Sequence, residues 1–172
     1  MNEIVKIQNI LTLLRIPILV IVVYLLSKDD KVLVFVFLLL AVLTDILDGY
    51  IARRKGEHKG LGKILDHVVD KIFFNTLSVS LYFFNNLPIF FVFFLLLRDT
   101  LSLFFGYFLL KKGKVLGSNF YGKLAGFTLS LLFVFYIFNF PYKETLVYVS
   151  LFFVFLASLV YFKIFLFYIR RL

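Results

Sequence analysis

Cysteine is absent from the 172 residues, which excludes disulfides and thiolate chemistry. Charge is scarce too. Asp, Glu, Lys and Arg make up 17% of the chain, where a soluble domain carries about a quarter. Hydrophobic residues reach 62%, and apolar runs recur along the whole length, so a separate soluble domain is excluded. The N-terminal "MNEIVKIQNILTLLRIP" has no small-residue cleavage site, and it reads as a short cytoplasmic amphipathic lead-in rather than a cleaved signal. A net charge of +9 raises nucleic acid as a partner, but most of the Lys and Arg sit in short loops between apolar runs. That placement is how membrane topology is encoded, and nucleic-acid binding is set aside.

What remains is an all-α integral membrane protein, one bundle over residues 1–172. A helix needs about 20 apolar residues to cross the hydrocarbon. Six segments qualify, roughly 11–27, 32–54, 61–84, 87–110, 120–140 and 144–168. "SKDDK", "RRKGEHKG", "NNLP", "KKGKVLGSN" and "FPYKE" separate them, each rich in turn formers or charge. No inverted repeat of the kind many transporters carry is visible. With the N-terminus inside, the inner loops hold ten cations: Lys6, Arg53, Arg54, Lys55, Lys59, Lys111, Lys112, Lys114, Arg170 and Arg171. The outer loops hold three: Lys28, Lys31 and Lys143. Both termini are therefore expected in the cytoplasm.

The second and third segments differ from the others. "TDILDGYIARRKGEHKGLGKILDHVVDK", Thr44 to Lys71, places Asp45, Asp48, Asp66 and Asp70 where the two segments turn polar, on either side of a basic loop. Residues three or four apart share a helix face, so each pair projects together, and antiparallel helices bring the pairs to one depth. Four carboxylates in a low-dielectric spot repel and demand cations. Hard divalent ions take oxygen ligands, and Mg²⁺ keeps positions open for phosphate. Two such ions can clamp both sides of a phosphoryl displacement. The bland alternative is four surface acids paired with nearby Arg and Lys. Ionisable residues within a membrane span are functional by default, and four at helix-face spacing favour the sharper reading. Gly49, Ala52 and Gly62 lie beside the acids. Close helix packing accounts for them, and so does room for a ligand against the backbone. Arg53 offers a fork that matches phosphate oxygens.

Asp45, Asp48, Gly49, Ala52, Arg53, Gly62, Asp66 and Asp70 fit D-x2-D-G-x2-A-R-x8-G-x3-D-x3-D at every fixed position. The stretch resembles the signature of the CDP-alcohol phosphatidyltransferases. The resemblance implies a six-transmembrane-helix bundle with a cytoplasm-facing polar cavity, in a membrane expected to be the cell inner membrane. It implies transfer of a phosphatidyl group from CDP-diacylglycerol to an alcohol, with release of CMP. Carried over by position, Asp45, Asp48, Asp66 and Asp70 would bind two divalent cations, Mg²⁺ or Mn²⁺. Asp70 would also be the base that takes the proton from the attacking hydroxyl. Gly49, Ala52 and Gly62 would make room for cytidine, Arg53 would hold a phosphate, and Lys59 would contact the nucleotide from the loop. A homodimer is implied by the resemblance alone.

Three segments bear on the acceptor. "NILTLLRIP" from Asn9 to Pro17, Lys71 after the last aspartate, and Gly122-Lys123 in "SNFYGKLAGF" resemble the phosphatidylglycerophosphate synthase and cardiolipin synthase branch. That branch often has an Arg-Glu pair in its fourth helix, whereas this chain has Arg98 followed by Asp99. Arg98 and Lys123 are intramembrane cations. They either pair with neighbouring acids or form a basic pocket for a phosphorylated acceptor, glycerol 3-phosphate being the expected one. Inositol phosphate, serine and phosphatidylglycerol are the other acceptors within the family. Outside it, a divalent-cation or proton-coupled transporter would also use a cluster of acids, but that reading leaves Gly49, Ala52 and Arg53 unexplained. His67 is read as a polar helix residue and not as a ligand. The Phe-rich stripes are read as packing and lipid-facing surface.

Overall fold

In the described breaks between helices Asp29, Asn86, Asn139 and Tyr142 take the left-handed backbone, which Asp and Asn tolerate better than most residues. The computed structural model describes residues 7–54, 61–111 and 120–169. They form six helices: α1 (Ile7–Ser27), α2 (Lys31–Arg54), α3 (Leu61–Asn85), α4 (Ile89–Lys111), α5 (Phe120–Ile137) and α6 (Lys143–Ile169). No strand occurs among the described residues.

After α1, Asp29 takes φ 55°. The Asp30 amide donates to the Leu25 carbonyl at 3.2 Å and the Asp29 amide to Leu26 at 3.1 Å, a Schellman closure of the helix end. Asp30 then caps the next helix, its carboxylate accepting from the Leu33 amide at 3.1 Å, the place for an N-cap side chain. Asn139 repeats the first device after α5. Its φ is 54°, and the Phe140 amide donates to Phe135 at 2.9 Å. Helix α5 therefore stops at Ile137, three residues short of the apolar run from which it was expected to reach 140. Pro88 opens α4, its carbonyl accepting from the Phe91 amide at 3.0 Å.

Among the described residues, five helices are long and apolar enough to cross a membrane, through Ile10–Ser27, Lys31–Ile51, Ile89–Leu109, Phe120–Ile137 and Lys143–Phe167. Helix α3 has 25 residues, but its first half carries Lys63, Asp66, His67, Asp70 and Lys71, and that polar half keeps it out of the set. The flanks of the helices are lined with exposed Val20, Tyr24, Phe83, Phe93, Phe104, Phe127 and Phe155. So much exposed apolar surface is matched by lipid, not by water. The chain is an integral membrane protein.

The described structure divides into two units, one ending at Phe84 and one beginning at Asn85. In the first, α1 runs along α2. Leu19, Val22 and Leu26 of α1, at helix-face spacing, are buried, as are Val34 and Ala41 of α2. In the second, α5 packs on α6 and α4 on α6. Ala125 and Ala157 are fully buried, small residues that let membrane helices approach. The Ser150 hydroxyl of α6 donates to the Thr128 carbonyl of α5 at 3.2 Å, and Phe105 of α4 stacks on Phe165 of α6 with ring centroids 4.3 Å apart.

Candidate active site

The acids converge within the first unit. Asp66 and Asp70, four residues apart on α3, share a face, and α2 brings Asp45 to them. One carboxylate oxygen from each of Asp45, Asp66 and Asp70 lies within 4.8 Å of the other two. Asp48 and Gly49 continue α2, as do Ala52 and Arg53, and Gly62 lies in the first turn of α3. The side chains of Asp48, Ala52 and Arg53 fall outside the described residues, and so does Lys59 altogether.

A residue that the sequence reading did not single out occupies the centre. Arg15 reaches from α1 to all three acids. Its Nη1 is 3.0 Å from Asp45 Oδ1 and also donates to Asp70 Oδ1. Its Nη2 donates to Asp66 Oδ1 at 2.7 Å. The Arg15 side chain is 3% exposed, while those of Asp45, Asp66 and Asp70 are 52%, 41% and 38% exposed. The guanidinium is therefore buried against the cluster, while the carboxylates stay partly exposed. The signal for Arg15 was present: a lone cation in "ILTLLRIPILVIVVYLL", where an intramembrane charge calls for a partner.

The donor set suits a hard divalent cation. Such ions bind carboxylate oxygens at about 2.0–2.6 Å, so oxygens up to about twice that distance apart can share one. The separation within 4.8 Å meets this condition, and the partial exposure of the three acids leaves room for further ligands.

A profile of the CDP-alcohol phosphatidyltransferase family matches residues 5–156. The chain belongs to that family. It is a transferase of phospholipid synthesis. Among its relatives, the CDP-diacylglycerol–glycerol-3-phosphate 3-phosphatidyltransferase of Aquifex aeolicus (strain VF5) is 31% identical over 128 residues, 73% of this chain and 72% of the relative. The Treponema pallidum (strain Nichols) protein of the same name is 34% identical over 94 residues, 55% of this chain and 42% of that one. Human cardiolipin synthase (CMP-forming) is 34% identical over 96 residues, 55% of this chain and 32% of the relative. The matches thus span most of the Aquifex protein but only about a third of the human one.

In the second unit of this phosphatidyltransferase, Arg98 Nη1 donates to Asp99 Oδ1 at 3.0 Å, with side-chain exposures of 19% and 4%. Adjacent helix positions do not face each other, and the long Arg side chain makes up the difference. The Arg98 Nε is buried with no hydrogen-bond partner among the described residues. Lys123 is exposed on α5, His67 is exposed on α3, and Lys71 beside Asp70 is buried.

Proposed function

We propose that this chain transfers the phosphatidyl group of CDP-diacylglycerol to glycerol 3-phosphate and releases CMP. The observation that carries the reading is the meeting of Asp45, Asp66 and Asp70 within 4.8 Å, inside a signature whose eight fixed positions all match. The names of the Aquifex and Treponema relatives support the acceptor. The human relative's name supports phosphatidylglycerol as the second candidate. Family membership replaces the transporter alternative.

Asp45, Asp48, Asp66 and Asp70 would hold two divalent cations, Mg²⁺ or Mn²⁺, which neutralise the pyrophosphate and the leaving CMP. The acceptor hydroxyl attacks the phosphatidyl phosphorus as the bond to the CMP oxygen breaks, and Asp70 takes the hydroxyl proton. A carboxylate is an adequate base only where the hydroxyl is delivered to it. Gly49, Ala52 and Gly62 leave room for cytidine, with Arg53 and Lys59 on its phosphates. Arg98 and Lys123 hold the acceptor phosphate, Arg98 keeping a buried donor beyond its Asp99 pair. In this reading α3 is the sixth span and residues 1–172 form one domain. Both termini and the polar cavity face the cytoplasm, and two chains pair as a homodimer.

The test is to give the purified protein CDP-diacylglycerol and a panel of alcohols, then measure CMP and identify the lipid formed. Phosphatidylglycerophosphate is the expected product. Cardiolipin from added phosphatidylglycerol, with glycerol 3-phosphate ignored, sinks the assignment.

Arg53→Lys keeps the charge and loses the two-pronged donor. Its KM for CDP-diacylglycerol is expected to rise about tenfold, the loss of one charge-assisted hydrogen bond. An unchanged KM would give Arg53 to the loop and not to the nucleotide.

A further inference from the structure

Three carboxylates with oxygens within 4.8 Å of one another push the helices that carry them apart. One buried cation meets all three. Arg15 faces Asp45 at 3.0 Å, Asp66 at 2.7 Å, and Asp70. We propose that Arg15 is a built-in counter-cation, which holds the acids of α2 and α3 together before metal binds and lowers the cluster's affinity for that metal. The inference rests on the reading of the cluster as a divalent-cation site.

The planar fork is what allows one side chain to do this. Nη1 serves Asp45 and Asp70 while Nη2 serves Asp66, a division that an ammonium on a flexible stem does not reproduce. The three acids then answer to α1 as well as to each other. Three carboxylates against one guanidinium still attract divalent cations. Each acid offers Oδ1 to Arg15 and keeps more than a third of its side chain exposed, so a cation that arrives meets the guanidinium as a second claimant on the same carboxylates. The like charge of Arg15 close by weakens the binding of that cation. Arg15 is a positioning residue. A plain strut would stabilise the fold and leave cation affinity alone.

The experiment uses the full chain in detergent, as wild type, Arg15→Gln and Arg15→Lys. Mn²⁺ binding is followed by the electron paramagnetic resonance of the free ion, and melting is followed in EDTA. Arg15→Gln is expected to melt below the wild type in EDTA yet to bind Mn²⁺ on the order of tenfold more tightly, since a nearby like charge has gone. Arg15→Lys keeps the charge without the fork, and its affinity is expected to fall between the two. Mn²⁺ affinity in Arg15→Gln equal to or weaker than wild type overturns the proposal. Should Arg15→Gln fail to fold, Arg15→Lys decides, and wild-type values in both measurements sink the idea. A wild-type protein that binds no Mn²⁺ removes the cation reading of the cluster itself, and this inference with it.

Discussion

Asp45→Asn and Asp66→Asn are each expected to abolish CMP release, with the protein still folded in the membrane. Asn matches Asp in volume, so the change is one of charge. Each substitution takes an anionic oxygen from a set within 4.8 Å and leaves two other acids around Arg15. The guanidinium keeps partners and the first unit keeps its shape. The chemistry has no such reserve. Metal-ion catalysis contributes several kcal/mol of charge stabilisation to a phosphoryl displacement, so kcat/KM is expected to fall on the order of a thousandfold or more. The measurement is CMP formed from CDP-diacylglycerol at saturating Mg²⁺, with melting in detergent as the control for folding. Activity within a few-fold of wild type in either variant would falsify the metal assignment.

Lys123→Gln and Arg98→Gln are expected to raise the KM for glycerol 3-phosphate and leave that for CDP-diacylglycerol nearly unchanged. Loss of a charge-assisted hydrogen bond of roughly 1.5–3 kcal/mol lowers kcat/KM by about ten- to a hundredfold. The two variants are not equivalent. Arg98 is paired at 3.0 Å with Asp99, whose side chain is 4% exposed, so Arg98→Gln also takes a partner from a buried acid and carries a folding cost. Lys123 is exposed, which makes Lys123→Gln the cleaner measurement. Equal losses for both substrates would make these residues structural. A wild type that prefers an uncharged alcohol would remove the reason for the pocket.

The helices were legible because their ends are written in Asp, Asn and Pro. "SKDDK" and "NNLP" announce turns, and Asp29, Asn86 and Pro88 make them. The apolar run past Ile137 misled because hydropathy does not register a left-handed Asn139 closing the helix beneath it. The convergence of Asp45, Asp66 and Asp70 was readable from spacing, since helix periodicity decides which residues share a face. Arg15 was not readable as their partner. Its place opposite them depends on the register between α1 and α2, which spacing within either helix does not contain. Pairing of Arg98 with Asp99 likewise depends on rotamers, for adjacent helix positions point apart.

That register has a simple origin in the Asp29-Asp30 turn. Arg15 precedes Asp30 by fifteen positions and Asp45 follows it by fifteen, so two helices folded back at that point carry both residues to equal depth. At about 1.5 Å per residue the distance is about 22 Å, roughly three-quarters of a hydrocarbon core about 30 Å thick. The hairpin is thus a ruler. It holds the cation and its acids at one fixed distance from the Asp29-Asp30 turn.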